Sequence, residues 1–565
     1  MEAKKLAEEN VKKEDSTEQK RDRVFNIGSA QNTATKFSFQ GLQKIRIPVK
    51  LEELQTVGGL ISVLDKYLAN CITTHKANLD KIEKFAEVYE GKQDILSKTR
   101  PYSSNVNSQV VENHAKRQVD FKVNFMLGDK MQFSHKSDNC NDDLHIFDRF
   151  LADSGFHTEF METKKDAFKY GVGTTFAQPR TDIINNDGTY STEYDKDMES
   201  PFAINCVSPK ENFVVYSSYV GEKDLFCVNI ADVTEIGKNT GKRYTITIYT
   251  RLFAVVYDEV ALGLNNVIPK KIKPKITSQP KAYPYLPIVE HIFNKERIGI
   301  IELNLSLFND INSVISNCAD SIFDSANKLY VFKNVDVDSD TLNAMVAGGA
   351  VVVKTNNPET PADFNTVDVQ FSQQDINTYY EQRVSKAYDI AGVPLASGVT
   401  SSGGDTGKAR LLGGGWENAY TIIKGDIIGC EKTDYMLLKQ LLAICHTVPN
   451  TKVNELTASQ IEIHYNINPN DDILSKTQSV TNLYGVGMPE ELILKYTNLS
   501  LDPCADAKKW VDNVKAKKEE ERKVAEENQK IMLENSANLN SGNNNQNAQN
   551  KPNEQIEKNN DKNAE

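Results

Sequence analysis

The sequence predicts an α+β fold, on three observations. Apolar residues recur at helical spacing early in the chain, as in Leu64, Leu68, Ile72, Leu79, Ile82, Phe85 and Tyr89. From Tyr170 to about Ile292 the period changes to that of strands. After residue 300, long helical segments are interrupted by short apolar runs, without the regular alternation of strand and helix that would give a parallel sheet.

Taken in order, residues 1–54 are charged and polar and read as an N-terminal arm, most of it mobile. Leu64–Tyr89 is predicted helical, with Gly91 as its stop. Further helices are expected over Val110–Leu127, ending at Gly128-Asp129, and over Asp142–Phe168 as one element. In the β-rich block, Gly173–Pro179 and Thr189–Tyr194 flank Asn186-Asp187-Gly188, a hairpin turn signal. Phe213–Tyr216, Leu225–Ile230 and Tyr244–Tyr249 read as further strands. The prolines of Tyr283-Pro284-Tyr285-Leu286-Pro287 impose an extended segment.

Glu302–Lys328 is predicted helical, with several polar residues among its apolar ones. Leu329–Phe332 and Ala350–Val353 are short strands. Too short to be stable alone, they are expected to pair with strands of a neighbouring copy. A polar helix over 373–391 ends at Gly392-Val393-Pro394. A Gly- and Ser-rich loop follows, and a long apolar-periodic segment runs from Thr406 to His446. A mobile loop between two helices inside a large domain points to function. Ile461–Ile467 alternates as a strand. Ile473–Lys530 is helical in pieces, and Asn535–Glu565 is Asn-rich with almost no large apolar residue, so a disordered tail is expected over 531–565.

The 565 residues exceed what one core supports, so two to four domains or subdomains are expected. No run of about 18 apolar residues exists to span a membrane, and the N-terminus lacks the apolar core of a signal peptide. The eight cysteines form no CxxC and read as reduced thiols. A net charge of −12 argues against tight, static nucleic-acid binding and leaves room for loose passage of DNA along a surface.

No catalytic constellation is visible. Gly404-Asp405-Thr406-Gly407-Lys408-Ala409 fails as a phosphate-binding loop: Ser402 stands where the first Gly belongs, and Ala409 cannot ligate magnesium. Asp336–Thr341 begins like a calcium loop but lacks its Gly and closing Glu. The eight histidines show no metal-ligand or triad spacing. Lys328, Lys333, Arg383 and Lys386 are ordinary exposed charges on the bland reading. On the sharper one they line a surface that touches phosphates weakly. Trp416 and the Leu411-Leu412 pair read as core.

The order of elements resembles the portal proteins of tailed bacteriophages, the siphovirus-type group of Gram-positive hosts. Four places carry it. Val111–Gly128 looks like the family's early helix, ending in an aromatic-Leu-Gly turn. Pro287-Ile288-Val289-Glu290 leads through Asn294-Lys295-Glu296-Arg297-Ile298-Gly299 into a helix with Leu307-Phe308-Asn309-Asp310-Ile311-Asn312-Ser313. This is similar to the family's Pro-Val-Val-Glu strand, Asn-x-Glu-Arg-x-Gly link and stem helix. Ala391-Gly392-Val393-Pro394 with Thr406–Gly413 resembles the family's Gly-Val-Pro and following helix start. Met488–Leu492 and Leu501-Asp502-Pro503 before a charged helix resemble its C-terminal region. The basic Lys408 and Arg410 depart from the usual apolar residues there.

The resemblance implies a portal-type subunit with a β-rich wing, two stem helices, a small α/β clip, a long wing helix and a helical crown, assembling as a ring. It implies a wing over 55–300, stem helices at 301–328 and 373–391, and a clip at 329–372. A tunnel loop at 392–408, a long wing helix with return strand at 409–470 and a crown at 471–530 complete it. The ring, commonly of twelve subunits, would sit at one capsid vertex of the virion, after synthesis in the host bacterial cytoplasm. Double-stranded DNA would pass through it during packaging and ejection. Implied partners are the terminase large subunit, the head-completion adaptor, and the major capsid and scaffold proteins, with no membrane and no cofactor. The tunnel-loop candidates are Val399, Thr400, Ser401, Ser402, Gly403, Gly404 and Asp405, with Lys408 and Arg410 beside them. Strong basic contacts would stall a sliding polyanion through the counterion-release energy they recover, so an acidic, weakly interacting lining suits transit. Two other readings stand beside this one: a packaging ATPase or nuclease, and another structural virion or assembly protein.

Overall fold

The computed structural model describes residues 41–100, 106–136, 142–183, 191, 193–234, 242–261, 273–278, 285–326, 329–333, 363–367, 373–395, 415–448, 452–467, 473–497 and 503–541. The chain divides into two compact units, changing over in sequence near residue 470.

The first unit opens with strand β1 (Arg46–Ile47) and helix α1 (Val57–Glu90). Residues 41–54, read from sequence as arm, are in fact packed. Leu42, Ile45, Ile47, Val49 and Leu54 are buried, and β1 pairs in parallel with a later strand. Ile45, Ile47 and Val49 alternate at period two, but Arg46 and Pro48 between them and the flanking Lys44 and Lys50 hid that alternation in the average polarity. The Thr56 hydroxyl caps α1 by accepting from Gly59 N at 3.2 Å. The helix ends at Gly91.

Helix α2 (His114–Leu127) and strand β2 (Gln132–His135) follow. The expected single helix over 142–168 is two, α3 (Asp142–Asp153) and α4 (Phe156–Tyr170). Gly155 separates them with φ 69°, a left-handed conformation that ends one helix and re-aims the next.

Strands β3 (Gly173–Pro179), β4 (Phe202–Val207), β5 (Asn212–Ser217), β6 (Asp224–Asp232), β7 (Tyr244–Tyr249), β8 (Phe253–Val260), β9 (Lys275–Ser278) and β10 (Ile288–His291) make the β-rich block. A six-stranded sheet runs in the order β1-β5-β6-β7-β8-β9, antiparallel except for the β1–β5 pair. A second sheet has the order β10-β3-β4. The expected hairpin partner of β3 is displaced: β3 pairs with β4, while Ser191, Glu193 and Tyr194 are not in a strand. Asn186-Asp187-Gly188 lies outside the described residues. Strand β4 offers an apolar face to pack, with Phe202 and Ile204 buried on it, where 189–194 offers mostly hydroxyls.

Helix α5 (Ile300–Ala326), strands β11 (Leu329–Lys333) and β12 (Asp363–Val367), helices α6 (Gln373–Ala391) and α7 (Trp416–Cys445) and strand β13 (Ile461–His464) complete the unit. Strand β11 pairs antiparallel with β12 of the same chain, which corrects the expectation that its partner comes only from a neighbour. The run Asp363-Phe364-Asn365-Thr366-Val367 is too polar to read as a strand from sequence. Ala350–Val353 lies outside the described residues.

Two cores hold the unit. The front half of α1 (Leu60, Val63, Leu64, Leu68, Ile72) packs on Phe213, Val215, Phe226, Ile246 and Val255 of the six-stranded sheet. Its rear half (Ile82, Phe85, Val88) joins the core formed with α2, α4, α5, α6 and α7. At 34 residues, α1 is about 51 Å long, enough to tie the two together.

The second unit holds α8 (Ile473–Gly485), α9 (Glu490–Thr497) and α10 (Pro503–Ser541), with Tyr484 stacked on Trp510 at 5.4 Å. Helix α10 continues through residues 531–541, which the sequence assigns to a disordered tail. The good helix formers of Glu519–Lys530 propagate it, since each further residue adds a bond without a new nucleus.

Candidate functional site

The residues that carry the family resemblance converge where β10 turns into α5. The Glu290 carboxylate accepts from Val214 N at 3.1 Å, from the Tyr216 hydroxyl at 2.8 Å and from the Arg297 guanidinium. All three lie against the six-stranded sheet. Arg297 holds φ 59°, a left-handed conformation rare for a residue with a Cβ. Asn294 fixes the turn: its amide donates to Ile298 O and its carbonyl accepts from Ile298 N, both at 2.9 Å. Burial opposes the Arg297 charge, but the Glu290 carboxylate outweighs it and holds the guanidinium protonated. Burial and the same carboxylate push the Tyr216 phenol well up. The link is therefore a rigid joint between sheet and helix.

Helix α2 is gripped by helices α5 and α6. Glu112, just before it, accepts from Tyr380 Oη at 2.6 Å, and His114 lies 3.1 Å from Tyr388 Oη. Gln118 donates to Ala387 O at 3.2 Å, and Asn304 of α5 donates to both Gln118 and Ala387 O at 2.9 Å. On its other side, Lys122 reaches Asp426 of α7 at 2.8 Å. Asn304, one of the polar residues that made α5 look unusual in sequence, is thus bonded, not solvated.

A further three of them lie one turn apart. Asn312, Ser316 and Asp320 accept backbone N–H groups of Glu112 (2.9 Å), Val110 (3.0 Å) and Ser108 (2.6 Å). The segment before α2 is thereby strapped along α5.

The predicted basic contacts fare differently. Arg383 on α6 pairs with Asp310 of α5 at 3.0 Å and donates to Tyr379 Oη at 2.7 Å. Lys386 pairs with Asp389 at 3.6 Å, largely in solvent. Lys333 ends β11. Lys328, Lys408, Arg410, the loop Val399 to Asp405, and Leu411-Leu412 lie outside the described residues. Arg383 and Lys386 thus have acidic partners. Trp416, read as core, is half-buried against the rings of Phe121 and Phe125. Helix α6 closes at Gly392, with Val393 N bonded back to Tyr388 O at 3.0 Å, and leads into the loop.

One buried cluster was not flagged from sequence. Lys164 of α4, His291 of β10 and Asp434 of α7 are all buried. Asp434 accepts from Lys164 Nζ at 2.6 Å, from His291 Nδ1 at 3.1 Å and from Tyr465 Oη at 2.5 Å. His291 Nε2 then accepts from Thr175 Oγ1 at 3.0 Å, which fixes the neutral tautomer. Burial raises the Asp434 carboxyl, but Lys164 and His291 more than reverse this and hold it well below its usual range. The signal was present in sequence: Asp434 interrupts the apolar stripe of Ile423, Cys430, Leu437 and Leu441. With both carboxylate oxygens bonded and its members buried, the cluster is a brace between α4, β10 and α7.

Among the described residues no group of three His, Cys, Asp or Glu side chains could hold a metal ion, and no helix is long and apolar enough to cross a membrane. Burial pushes the thiols of Cys71 and Cys430 up to about 12 and that of Cys206 to about 11, so none of these is a thiolate nucleophile.

The mixed helices and sheets, with the β10–α5 joint followed by α6 and α7, are consistent with a portal-type subunit. The chain belongs to the family described as phage portal protein, SPP1 Gp6-like, whose model matches residues 68–409. It is similar to the portal protein of Bacillus phage SPP1, 25% identical over 370 residues. That match covers 61% of this chain and 65% of the phage SPP1 protein, just under two thirds of its length.

Proposed function

We propose that the chain forms a closed homo-oligomeric ring at one capsid vertex and conducts double-stranded DNA during packaging, retention and ejection. In this reading it is a conduit and not an enzyme. The carrying observation is the run from the Glu290–Arg297 joint through α5, β11–β12, α6 and Gly392-Val393-Pro394, within the segment that matches the portal family. Exposed apolar side chains on α6 and α7 support a neighbour there: Ile390 of α6 is 51% and Ile428 of α7 71% exposed.

The pairing of Arg383 with Asp310 supports a stem that does not grip phosphates. Neutralised cations release few DNA counterions, so a duplex slides past them. Val399 to Asp405, with Lys408 and Arg410 beside it, is the proposed tunnel loop, and β11–β12 belongs to the proposed clip that meets terminase and later the adaptor. Residues 473–530 are the proposed crown.

Electron microscopy of the purified chain tests the ring: closed rings with an axial hole are expected without nucleotide or metal. Only monomers in mass photometry at micromolar concentration, with and without salt, would overturn it. Deleting Thr400 to Gly404 is expected to leave rings intact, since exposed loops tolerate length change, and to impair DNA packaging or retention. Full phage yield from that deletion refutes the tunnel-loop assignment. Neutralising Lys408 and Arg410 separates two roles: a packaging defect with intact rings marks a phosphate contact, and failed assembly marks an interface pair.

A further inference from the structure

The strap before α2 has a second edge, without a partner among the described residues. Asn312, Ser316 and Asp320 take the N–H groups of residues 112, 110 and 108, which alternate along the chain. The side chains of Asn107 and Gln109 both donate to Lys98 O, at 2.8 and 2.9 Å. Both patterns have a period of two, so the segment is an extended strand lying against a helix. In such a strand the N–H and C=O groups of Gln109 and Val111 point away from α5. Neither N–H has a partner among the described residues, and Gln109 is exposed. This edge is held rigid by Lys98, whose ammonium lies 2.6 Å from Asp320. One turn past Asp320 on the same helix face, Phe323 is 57% exposed.

A fixed row of outward backbone donors and acceptors beside an exposed aromatic ring is a template for strand addition. Because the edge is already ordered, a partner strand would not bear the cost of immobilising it. We propose that Gln109 and Val111 receive an extended segment from a second copy of this chain, joined by β-pairing. This rests on the ring reading above. In a ring each subunit uses one surface toward one neighbour and a different surface toward the other, so one edge per copy is filled.

Proline scanning tests it, because proline removes an N–H yet suits extended backbone. The double variant Gln109→Pro/Val111→Pro deletes the two outward N–H groups together with the Gln109 side-chain bond to Lys98 O, so its reference is Gln109→Ala, which lacks that side-chain bond alone. Relative to that reference it is expected to keep the melting midpoint as a monomer and to raise the concentration for half-assembly about tenfold or more, as two lost backbone bonds would. Val110→Pro deletes a donor bound by Ser316 and is expected to lower the melting midpoint instead. Unchanged assembly of the double variant overturns the proposal and leaves the ring reading standing; absence of rings from the parent chain fails both. Should the double variant not fold, residue-resolved amide exchange on the parent decides. Protection of Gln109 and Val111 gained only on assembly supports the proposal. Protection already present in the monomer assigns the edge to another segment of the same chain and overturns it, as does its absence in the assembly.

Discussion

The Lys164 ammonium lies 2.6 Å from the Asp434 carboxylate where neither side chain reaches solvent, joining α4 to α7 through the middle of the larger core. A buried pair of this kind is weak evidence for net stability, because desolvating two ions offsets their attraction. Removing one partner is another matter, since it strands the other charge. Lys164→Met or Asp434→Leu alone is expected to lower unfolding free energy by about 3–5 kcal/mol. The double variant should recover much of that loss. Chemical denaturation of all three checks it, and additive losses would mean the two charges do not interact.

His291 gives the same cluster a pH dependence. Burial, the largest influence, lowers its pKa below the ordinary value near 6.5, so the folded state holds it neutral. The unfolded chain takes up a proton as pH falls through that value. The stability is therefore fully present above about pH 6.5 and is lost progressively below it. The charged and polar groups around the ring are Asp434, Lys164 and Thr175. His291→Gln is expected to flatten the fall in melting midpoint between pH 7 and pH 5; an unchanged slope would refute the assignment.

Asp148 on α3 behaves oppositely. Burial pushes its carboxyl up to about 6. Its folded pKa exceeds the unfolded one, so its cost is absent at pH 4 and grows as pH rises through about 6. Asp148→Asn should stabilise the chain at pH 7.5, by on the order of 1 kcal/mol with allowance for solvent screening, and do nothing at pH 4. Melting curves at the two pH values test this.

Two glycines of α7 separate packing from propensity. A Cβ on Gly429 would stand 2.0 Å from Phe293 O, whereas one on Gly425 would meet nothing within 4 Å. Gly429→Ala is expected to cost about 1–3 kcal/mol through forced displacement of the helix. Gly425→Ala should gain up to about 1 kcal/mol from helix propensity. Equal effects in thermal unfolding would show that α7 does not approach the β10 link so closely.

How much was legible in sequence depended on whether the signal was local. Helix α6 was read at its observed bounds because its end is written in Gly392-Val393-Pro394. Strand β7 was read at Tyr244–Tyr249 because alternation and β-branching agree there. Strand β4 was missed, and the partner of β3 misassigned, because a strong turn signal at Asn186-Asp187-Gly188 favoured the nearest run. Pairing is decided by which strand has an apolar face to bury, not by distance along the chain.

The sequence by itself determined the mixed fold, the helices α5 and α6 and the order of motifs that resembles the portal family. These rest on periodicity and on Gly and Pro, which act within a few residues. Only the tertiary structure decided what the polar residues inside those elements do. Glu290 and Arg297, or Lys164 and Asp434, are separated by 7 and 270 residues and look like ordinary charges until folding buries them together. Once buried, a charge must find its partner or be neutralised, and which partner it meets is a matter of packing that no local pattern encodes.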